Sequence, residues 1–249
     1  MTSFQLSSLA VSIIFILVMW SSDLSLSASE NSALVLYDPR SPLQQLNERT
    51  KTVTVGEYQL EFTQNWADHG VAGVVWDASI VLGEYLLKHP EICHEKTVLE
   101  LGAGTGLPTL ISALLGSRKI LSTDLPSAIP ILNENISRNL KKYNLSSNNI
   151  QVLPLKWGEN IGHMKSAQVI LAADVVYDES VFNDLIATFR AMLAKDHSAQ
   201  ILLSCRIRYP RDNIFLKIFK STFLVKELLY DDSRDIYIFS GIYKENKEL

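Results

Sequence analysis

The sequence predicts an α/β protein with a seven-stranded, mostly parallel β-sheet, a C-terminal antiparallel hairpin in that sheet and a separate N-terminal β-hairpin. From Thr97 onward, short apolar runs alternate with longer segments whose apolar residues recur at helical spacing. Strands and helices that alternate in this way form βαβ units with parallel strands. The last two apolar runs follow each other without a helix between them, which indicates that the sheet ends in an antiparallel pair.

Residues 1–50 lie apart from this pattern. Residues 9–20 are apolar except for Ser12, and a polar stretch follows. The apolar run has the length of a signal-peptide core, whereas a membrane span needs about 20 residues. However, no Lys or Arg precedes it, so a targeting or anchor segment, an unusual start and a packed helix all remain open. We expect an apolar segment and irregular arm at 1–50 and one domain at 51–249.

The first elements of that domain are a hairpin and a helix. The hairpin is predicted at 52–62, because apolar and polar residues alternate on both sides of a turn near Gly56. The helix is predicted from a cap at or near Asp77 to Leu87, because Pro90 follows. The parallel strands are expected at five apolar runs, namely 97–101, 119–123, 150–155, 167–173 and 200–204.

Four further helices are expected to connect or follow these strands. In one of them Leu132, Ile136 and Leu140 recur every four residues and mark a buried face. The predicted helices are 108–116, 130–143, 182–194 and 214–222. The two final strands, 223–229 and 235–243, flank an acidic turn and form the predicted antiparallel pair.

Composition excludes some classes of function. The net charge is −4, so no basic surface indicates a nucleic-acid partner. Cys93 and Cys205 are the two cysteines, and they are far apart in apolar surroundings. No metal-ligand spacing is visible, and we expect no metal site. Two thiols are compatible with a reducing compartment, although the sequence leaves a single disulfide open.

The strongest chemical signal is the segment Glu100–Leu107, in which an acid precedes three glycines at alternate positions. Glycine permits positive φ angles and lets a ligand lie against the backbone. The spacing differs from the dinucleotide fingerprint, the Walker loop and the nucleophile elbow. An acid two residues before the first glycine suits a cation such as an α-ammonium. We therefore predict that Glu100 and this loop bind S-adenosylmethionine, with a purely structural turn as the alternative.

Two residues at neighbouring strand ends fit the same ligand, because open α/β sheets bind ligands at the carboxyl ends of their strands. Asp124 lies twenty-two residues after Gly102, where an acid can accept hydrogen bonds from ribose hydroxyls. The alternative is a solvated turn residue. Trp157 follows the third strand and can stack on an adenine, although an ordinary core tryptophan would produce the same pattern.

The acceptor side of the predicted site comes from the fourth and fifth strands. Asp174 and Tyr177 leave the fourth strand at three-residue spacing and are placed to orient an amine, unless Asp174 is a buried structural residue. Arg206 and Arg208 follow the fifth strand and either hold an acidic substrate or pair with acids such as Asp174. A lid over the ligand is expected from residues 64–66 together with Trp76 and Asp77.

These motifs resemble a known family. The sequence is similar to the seven-β-strand, Rossmann-like, S-adenosylmethionine-dependent protein lysine methyltransferases of family 16, and most similar to the subgroup that methylates lysines of Hsp70-type chaperones. The resemblance spans residues 52–243, and its motifs occur in order at strand ends. The matching segments are Val71–Leu82, Glu100–Leu107, Leu155–Gly158, Ala173–Tyr177 and Cys205–Leu216.

The resemblance implies roles for particular residues. Asp174 and Tyr177 would lie beside the target lysine as the catalytic pair. The residues that would contact S-adenosylmethionine are Trp76, Gly102, Ala103, Gly104, Asp124, Trp157 and Ala173. The partner implied is a protein substrate, an Hsp70-type chaperone, and we expect the enzyme to be a monomer.

Alternative functions stay open at this point. Enzymes that methylate amino groups of nucleic acids often carry two prolines after the fourth-strand acid, and residues 174–177 lack both. A methyltransferase for another protein or a small molecule, and a non-catalytic cofactor-binding module, are the remaining alternatives. The resemblance implies a cytoplasmic location. The departure at residues 1–50 leaves membrane anchoring or endoplasmic-reticulum targeting through residues 9–20 as the alternative, and membrane contact is expected only there.

Overall fold

The computed structural model describes residues 48–244, so the apolar segment 9–20 and the arm predicted to end at residue 50 lie almost wholly outside the described residues. Within 48–244 no single helix is long and apolar enough to cross a membrane, and one bent pair, Trp66–Gly73 with Asp77–Lys88, passes by length and composition only. The strands are β1 Thr50–Val55, β2 Tyr58–Thr63, β3 Thr97–Leu101, β4 Lys119–Asp124, β5 Ile150–Pro154, β6 Val169–Ala173, β7 Gln200–Cys205, β8 Leu224–Asp231 and β9 Ile236–Ile242.

Helices cover both faces of the main sheet. The described helices are α1 Trp66–His69, α2 Asp77–Lys88, α3 Leu107–Leu114, α4 Ile129–Lys142, α5 Phe182–Leu193 and α6 Pro210–Thr222. Alternate residues of each central strand point to opposite faces, so Leu99 packs with the α5 and α6 side while Val98 packs with the α2, α3 and α4 side. Burial on both faces explains the nearly continuous apolar runs in the sequence.

The strand order of the main sheet is β5-β4-β3-β6-β7-β9-β8. Strands β3 to β7 are parallel, and β9 runs antiparallel to both β7 and β8. The predicted fold class is therefore confirmed. The chain moves from β3 outward to β5 and then returns to β6 on the other side of β3, so the order reverses between β3 and β6. This reversal is the topological switch point, outside which α/β sheets bind their ligands.

The N-terminal hairpin forms a sheet of its own, with its turn at Gly56 as predicted. It is held by two buried asparagines on α4. The Asn135 side-chain amide donates to the Thr63 carbonyl and accepts from the Thr63 N–H, and Asn139 makes the same pair of bonds with Glu61. These amides complete the edge of β2 as another strand would, which fixes the hairpin beside α4.

The start of α2 agrees with the predicted cap at or near Asp77, whereas the start of α6 differs from the prediction. Asp77 is the first residue of α2 and does not cap it; Trp76 occupies the cap position. Helix α6 begins at Pro210, four residues earlier than the apolar pattern predicts, because Tyr209 and Asp212 form a capping box around a proline in the first turn. The short helix α1, whose N-cap is Asn65, was not predicted. Side-chain capping, rather than apolar periodicity, sets the starts of α1 and α6.

Candidate active site

One cleft at the carboxyl end of the sheet contains every residue that the sequence predicts to contact S-adenosylmethionine, together with the predicted catalytic pair. It encloses about 1060 Å³ free of protein atoms, its open mouth included. The cleft lies over the switch point between β3 and β6. The predicted residues that line it are Trp76, Glu100, Gly102, Ala103, Gly104, Asp124, Trp157, Ala173, Asp174 and Tyr177.

The glycine positions of the loop have no room for side chains. Gly102, Gly104 and Gly106 all have positive φ angles. A Cβ atom on Gly102 would lie 3.0 Å from a ring carbon of Trp157, and one on Gly104 would lie 3.2 Å from the carbonyl oxygen of Ala72. At Gly102 and Gly104 the loop therefore presents bare backbone, held between a tryptophan and the segment that precedes α2.

Glu100 lies beneath this loop and is only 1% exposed. The Thr109 hydroxyl donates a hydrogen bond of 2.5 Å to its carboxyl group. Burial raises the pKa of Glu100 to about 8, assisted by the charge of Asp124, and the Thr109 bond opposes this shift. In the ligand-free protein Glu100 is thus mostly protonated near neutral pH. An ammonium group bound beside it would favour the carboxylate, with release of the proton.

The pKa of Glu100 predicts how the stability of the ligand-free protein depends on pH. The folded state keeps the proton up to about pH 8, whereas an unfolded glutamate releases it near pH 4.3. The proton on Glu100 therefore contributes its full share to the free energy of unfolding below about pH 4. This contribution is lost as the pH rises through 8, by at most about 1.4 kcal/mol per pH unit. Urea unfolding should show this decline between about pH 5 and 8 in the wild type.

The Glu100→Gln variant should flatten this part of the profile, because its amide cannot ionise. Glu91→Gln provides the matched control, since the Glu91 side chain is 71% exposed, and its profile should follow that of the wild type. Equal slopes for the wild type and Glu100→Gln would contradict the assigned pKa.

Asp124 ties the loop to the end of β4. One carboxylate oxygen accepts from the Gly104 N–H at 2.7 Å, and the other accepts from the Leu125 N–H at 2.7 Å. Burial raises the pKa of Asp124, and these two backbone bonds act against the rise. With 9% exposure, Asp124 is not the solvated turn residue of the alternative interpretation. Each oxygen keeps further acceptor capacity, so a bond to a ribose hydroxyl remains compatible with the structural role.

Two tryptophans line the cleft. Trp157 packs against the Gly102 backbone and against the core on the α5 side. The Trp76 indole donates to the Val71 carbonyl at 2.8 Å, which closes residues 71–76 into a loop at the edge of the cleft. Both indoles line the cleft, and the adenine-stacking role of Trp157 stays a prediction.

The lid prediction is wrong for most of its residues. Gln64 is 2% exposed, and its side-chain oxygen accepts from the Val75 N–H at 2.9 Å, so it is a buried brace. Asn65 caps α1, and Asp77 lies 3.6 Å from Arg206. Only Trp76 of that set reaches the cleft. Segment 71–76 covers the cleft edge instead, because the Gln64 bond holds it there.

Asp174 is held by a buried ion pair. Its two carboxylate oxygens accept from the two terminal nitrogens of Arg208 at 3.1 and 3.2 Å, and the two side chains are 6% and 10% exposed. The Asp174 N–H donates to the Ser204 carbonyl at 2.8 Å, and φ is +54°. Of the two alternatives for the arginines, pairing with Asp174 is correct for Arg208. Arg206 donates to the Arg234 carbonyl instead.

Tyr177 remains a phenol at any physiological pH. Burial raises its pKa to about 12, with smaller contributions from the negative charges of Asp124, Asp178 and Asp174. Its hydroxyl is thus available as a hydrogen-bond donor in a cleft that carries several acids. This property suits a group that positions a substrate but not one that removes its proton.

Sequence reasoning assigned no site role to several lining residues. Lys156 and Val175 directly adjoin the predicted residues Trp157 and Asp174, and Ala72 lies within the matching segment Val71–Leu82, so the motifs themselves pointed to these three positions. Thr105 and Leu125 likewise follow predicted residues directly. The remaining such residues are Val71, Val74, Ser79, Leu155, Asp178 and Val181. Among residues 48–244, no group of three or more His, Cys, Asp or Glu side chains is arranged to hold a metal ion, and both cysteines are buried and free.

Comparisons with known proteins agree on one family. A family profile described as lysine methyltransferase matches residues 55–222. The chain is 37% identical over 222 residues to the protein N-lysine methyltransferase METTL21A of Danio rerio, covering 87% of this chain and 100% of that protein. It is 35% identical over 207 residues to METTL21A of Xenopus tropicalis, covering 83% of this chain and 94% of that protein.

A solved structure supports the fold. The T. thermophilus 16S rRNA N2 G1207 methyltransferase (RsmC), in complex with AdoMet and guanosine, matches with a TM-score of 0.57 at 16% identity. The match covers 79% of this chain and 50% of that chain, so this chain spans about half the length of that solved chain. At such low identity the likeness concerns the fold alone.

Proposed function

This chain belongs to the lysine methyltransferase family, and from that premise we propose that it methylates a lysine of an Hsp70-type chaperone. It is an S-adenosylmethionine-dependent protein-lysine N-methyltransferase. The observation that carries the proposal is one cleft in which the glycine loop meets Asp174 and Tyr177. The choice of chaperone is supported by the motifs at 71–82 and 205–216, which resemble the subgroup that acts on Hsp70-type proteins.

The residues present fit S-adenosylmethionine. A loop in which an added Cβ would meet neighbouring atoms offers backbone amides to the methionine part. Glu100 is the acid for the α-ammonium, Asp124 accepts from the ribose, and Trp157 provides a face for the adenine. When bound, the cofactor supplies a methyl group on an electrophilic sulfonium, so the protein has to position and deprotonate the acceptor.

The acceptor lysine must be neutral to attack. Its free pKa near 10.4 leaves few neutral molecules at pH 7. The apolar walls of the cleft, with Trp76, Trp157 and Val175 among them, disfavour the ammonium form by desolvation. Asp174 accepts a hydrogen bond from the amine and directs its lone pair, and Tyr177 limits the width of the slot. A nitrogen–carbon bond forms as the carbon–sulfur bond breaks, and the amine proton leaves to water.

Methyl transfer to a purified Hsp70-type chaperone tests the proposal. With tritiated S-adenosylmethionine, we expect label in the chaperone and an intact-mass increase in steps of one methyl group. Replacing the labelled lysine of the chaperone by arginine should remove both signals. A lysate in which a different protein takes the label, while the purified chaperone takes none, would contradict the proposed substrate and leave the enzyme class unchanged. Label in a small molecule only would contradict a protein substrate.

We also propose that the protein is a cytoplasmic monomer and that residues 51–249 form its methyltransferase domain. Enzymes that act on cytoplasmic chaperones need that location, and the alternative is anchoring or endoplasmic-reticulum targeting through residues 9–20. Fractionation of cells that express the chain with a C-terminal tag tests this: a membrane-pellet signal that disappears when residues 1–30 are removed would contradict the cytoplasmic assignment. Sedimentation of the purified chain measures the oligomeric state.

A further inference from the structure

Arg208 and Asp174 raise a question that the proposed mechanism leaves open. A lone carboxylate beside the acceptor amine would stabilise its ammonium form and so oppose the deprotonation that methyl transfer needs. In this structure, however, the carboxylate is not alone. Arg208 binds both of its oxygens, at 3.1 and 3.2 Å, and both side chains are at least nine-tenths buried.

The Arg208 backbone is itself fixed. Its N–H donates to the Asp212 carboxylate at 2.8 Å, and the neighbouring Tyr209 N–H donates to the same oxygen at 2.9 Å. Asp212 is 1% exposed in the first turn of α6. The connection from β7 to α6 is thus anchored, and it presents the Arg208 guanidinium in one place before any substrate arrives.

We propose that Arg208 is a positioning residue for methyl transfer: it holds the Asp174 carboxylate by two hydrogen bonds and offsets its charge, so that Asp174 binds the acceptor amine without stabilising the ammonium. The inference rests on the proposed amine-orienting role of Asp174. A carboxylate has about four acceptor sites, so two remain for an N–H of the amine after Arg208 has taken two. A bidentate arginine also limits rotation of the carboxylate, which a lysine in its place would not.

Other charged or titratable groups surround the ion pair of Arg208 and Asp174. These groups are the same in the wild type and in the Arg208 variants compared below. Tyr177 and Asp178 follow Asp174 on the same connection, while Cys205 and Asp212 lie on the Arg208 side. Glu100, Asp124 and Lys156 line the same cleft. The burial of Cys205 raises its pKa, so that thiol remains neutral. A change in pH dependence on replacing Arg208 therefore reports on Arg208.

The test is the pH dependence of kcat, measured at saturating concentrations of both substrates, because kcat reports ionisations in the bound complex. For Arg208→Gln we expect the limb that rises with pH to move upward by about one pH unit, the lower end of the effect of a nearby opposite charge. Near neutral pH kcat should fall about tenfold and recover at higher pH. For Arg208→Lys the limb should stay in place, with kcat lower at every pH because the two-point contact is lost.

Arg118→Gln is the matched control, since Arg118 precedes β4 at the end of the sheet opposite the cleft, where it donates to the side chains of Thr97 and Gln168. Its kcat profile should equal that of the wild type, and S-adenosylmethionine affinity, measured by calorimetry, should be unchanged in all variants. If Arg208→Gln lowers kcat by one factor at every pH, Arg208 is merely structural and the proposal fails. If it raises kcat at neutral pH, Arg208 competes with the lysine and the proposal also fails.

Removing one partner of a buried ion pair destabilises a fold, so the Arg208→Gln variant can fail to fold. In that case Arg208→Lys alone tests the proposed role of Arg208. Lower kcat with an unmoved limb, together with wild-type thermal unfolding and wild-type S-adenosylmethionine affinity, supports the proposal. Wild-type kcat, or a limb that moves although the positive charge is kept, overturns it. The substrate is whichever protein the wild type labels. Wild-type activity on the Hsp70-type chaperone tests the proposed function, whereas the difference between wild type and variants tests Arg208.

Discussion

Asp174→Asn is expected to lower methyl transfer by about 100-fold or more while leaving S-adenosylmethionine binding intact, because misplacing a reacting group by about 1 Å already costs about that much. Asparagine keeps the size of the side chain and an oxygen that can accept from Arg208. It loses the negative charge and one of the two oxygens, so the amine no longer meets a fixed carboxylate. Initial rates with tritiated cofactor, together with a calorimetric titration of S-adenosylmethionine, measure the two effects separately.

The structure favours asparagine over alanine for this experiment. Alanine would leave the Arg208 guanidinium buried without its partner, which typically costs about 3–5 kcal/mol. It would also place a residue that disfavours left-handed backbone at φ +54°, where asparagine is tolerated. Loss of activity in Asp174→Ala would therefore mix unfolding with chemistry. Asp174→Asn separates them, and thermal unfolding of the variant provides the check.

Asp196→Asn is a suitable control for Asp174→Asn. Asp196 accepts from the Ser198 N–H and hydroxyl in the turn before β7, at the end of the sheet opposite the cleft. The same change of charge there should leave both rate and binding at wild-type values. A parallel loss of cofactor binding and methyl transfer in Asp174→Asn would show that Asp174 is a structural residue of the cofactor site, against its assignment to the acceptor.

The site residues at strand ends could be predicted from local sequence patterns, because the apolar run before a strand end identifies it. Apolar runs locate the ends of β3, β4 and β6, and the sheet rule brings those ends to one edge. For this reason the amino-acid sequence is sufficient to predict that Glu100, Asp124 and Asp174 share one cleft. The wall residue Trp157 followed from the same rule at the end of β5.

The group that each charged side chain binds could not be predicted from local sequence patterns. Arg208 pairs with Asp174 across 34 positions of sequence, while Arg206, two residues away, binds a carbonyl near the β8–β9 turn. Both arginines carry the same side chain beside the same strand, so only the tertiary arrangement distinguishes them. Gln64 illustrates the same limit: its position in the chain before the core suggested a lid, whereas its bond to the Val75 N–H places it in the interior.

Gly104→Arg is expected to abolish detectable S-adenosylmethionine binding, a loss of at least about 100-fold in Kd, which corresponds to about 2.8 kcal/mol. Gly104 lines the cleft, and its N–H donates to Asp124. Any side chain at this position is strained at φ +53° and begins 3.2 Å from the Ala72 carbonyl oxygen. The arginine must therefore displace segment 71–76 or enter the cleft, and either change removes space that the cofactor needs.

Gly70→Arg separates the effect of the cleft from backbone strain. Gly70 has a similar φ of +56°, but a Cβ atom there would have nothing within 4 Å. The same substitution at this glycine of positive φ should thus leave cofactor affinity near the wild-type value, as measured by calorimetry. Wild-type affinity in Gly104→Arg would remove the loop from the cofactor site. An equal loss of cofactor affinity in both variants would show that backbone strain causes the loss. The close packing of the loop against Ala72 would then have no part in it.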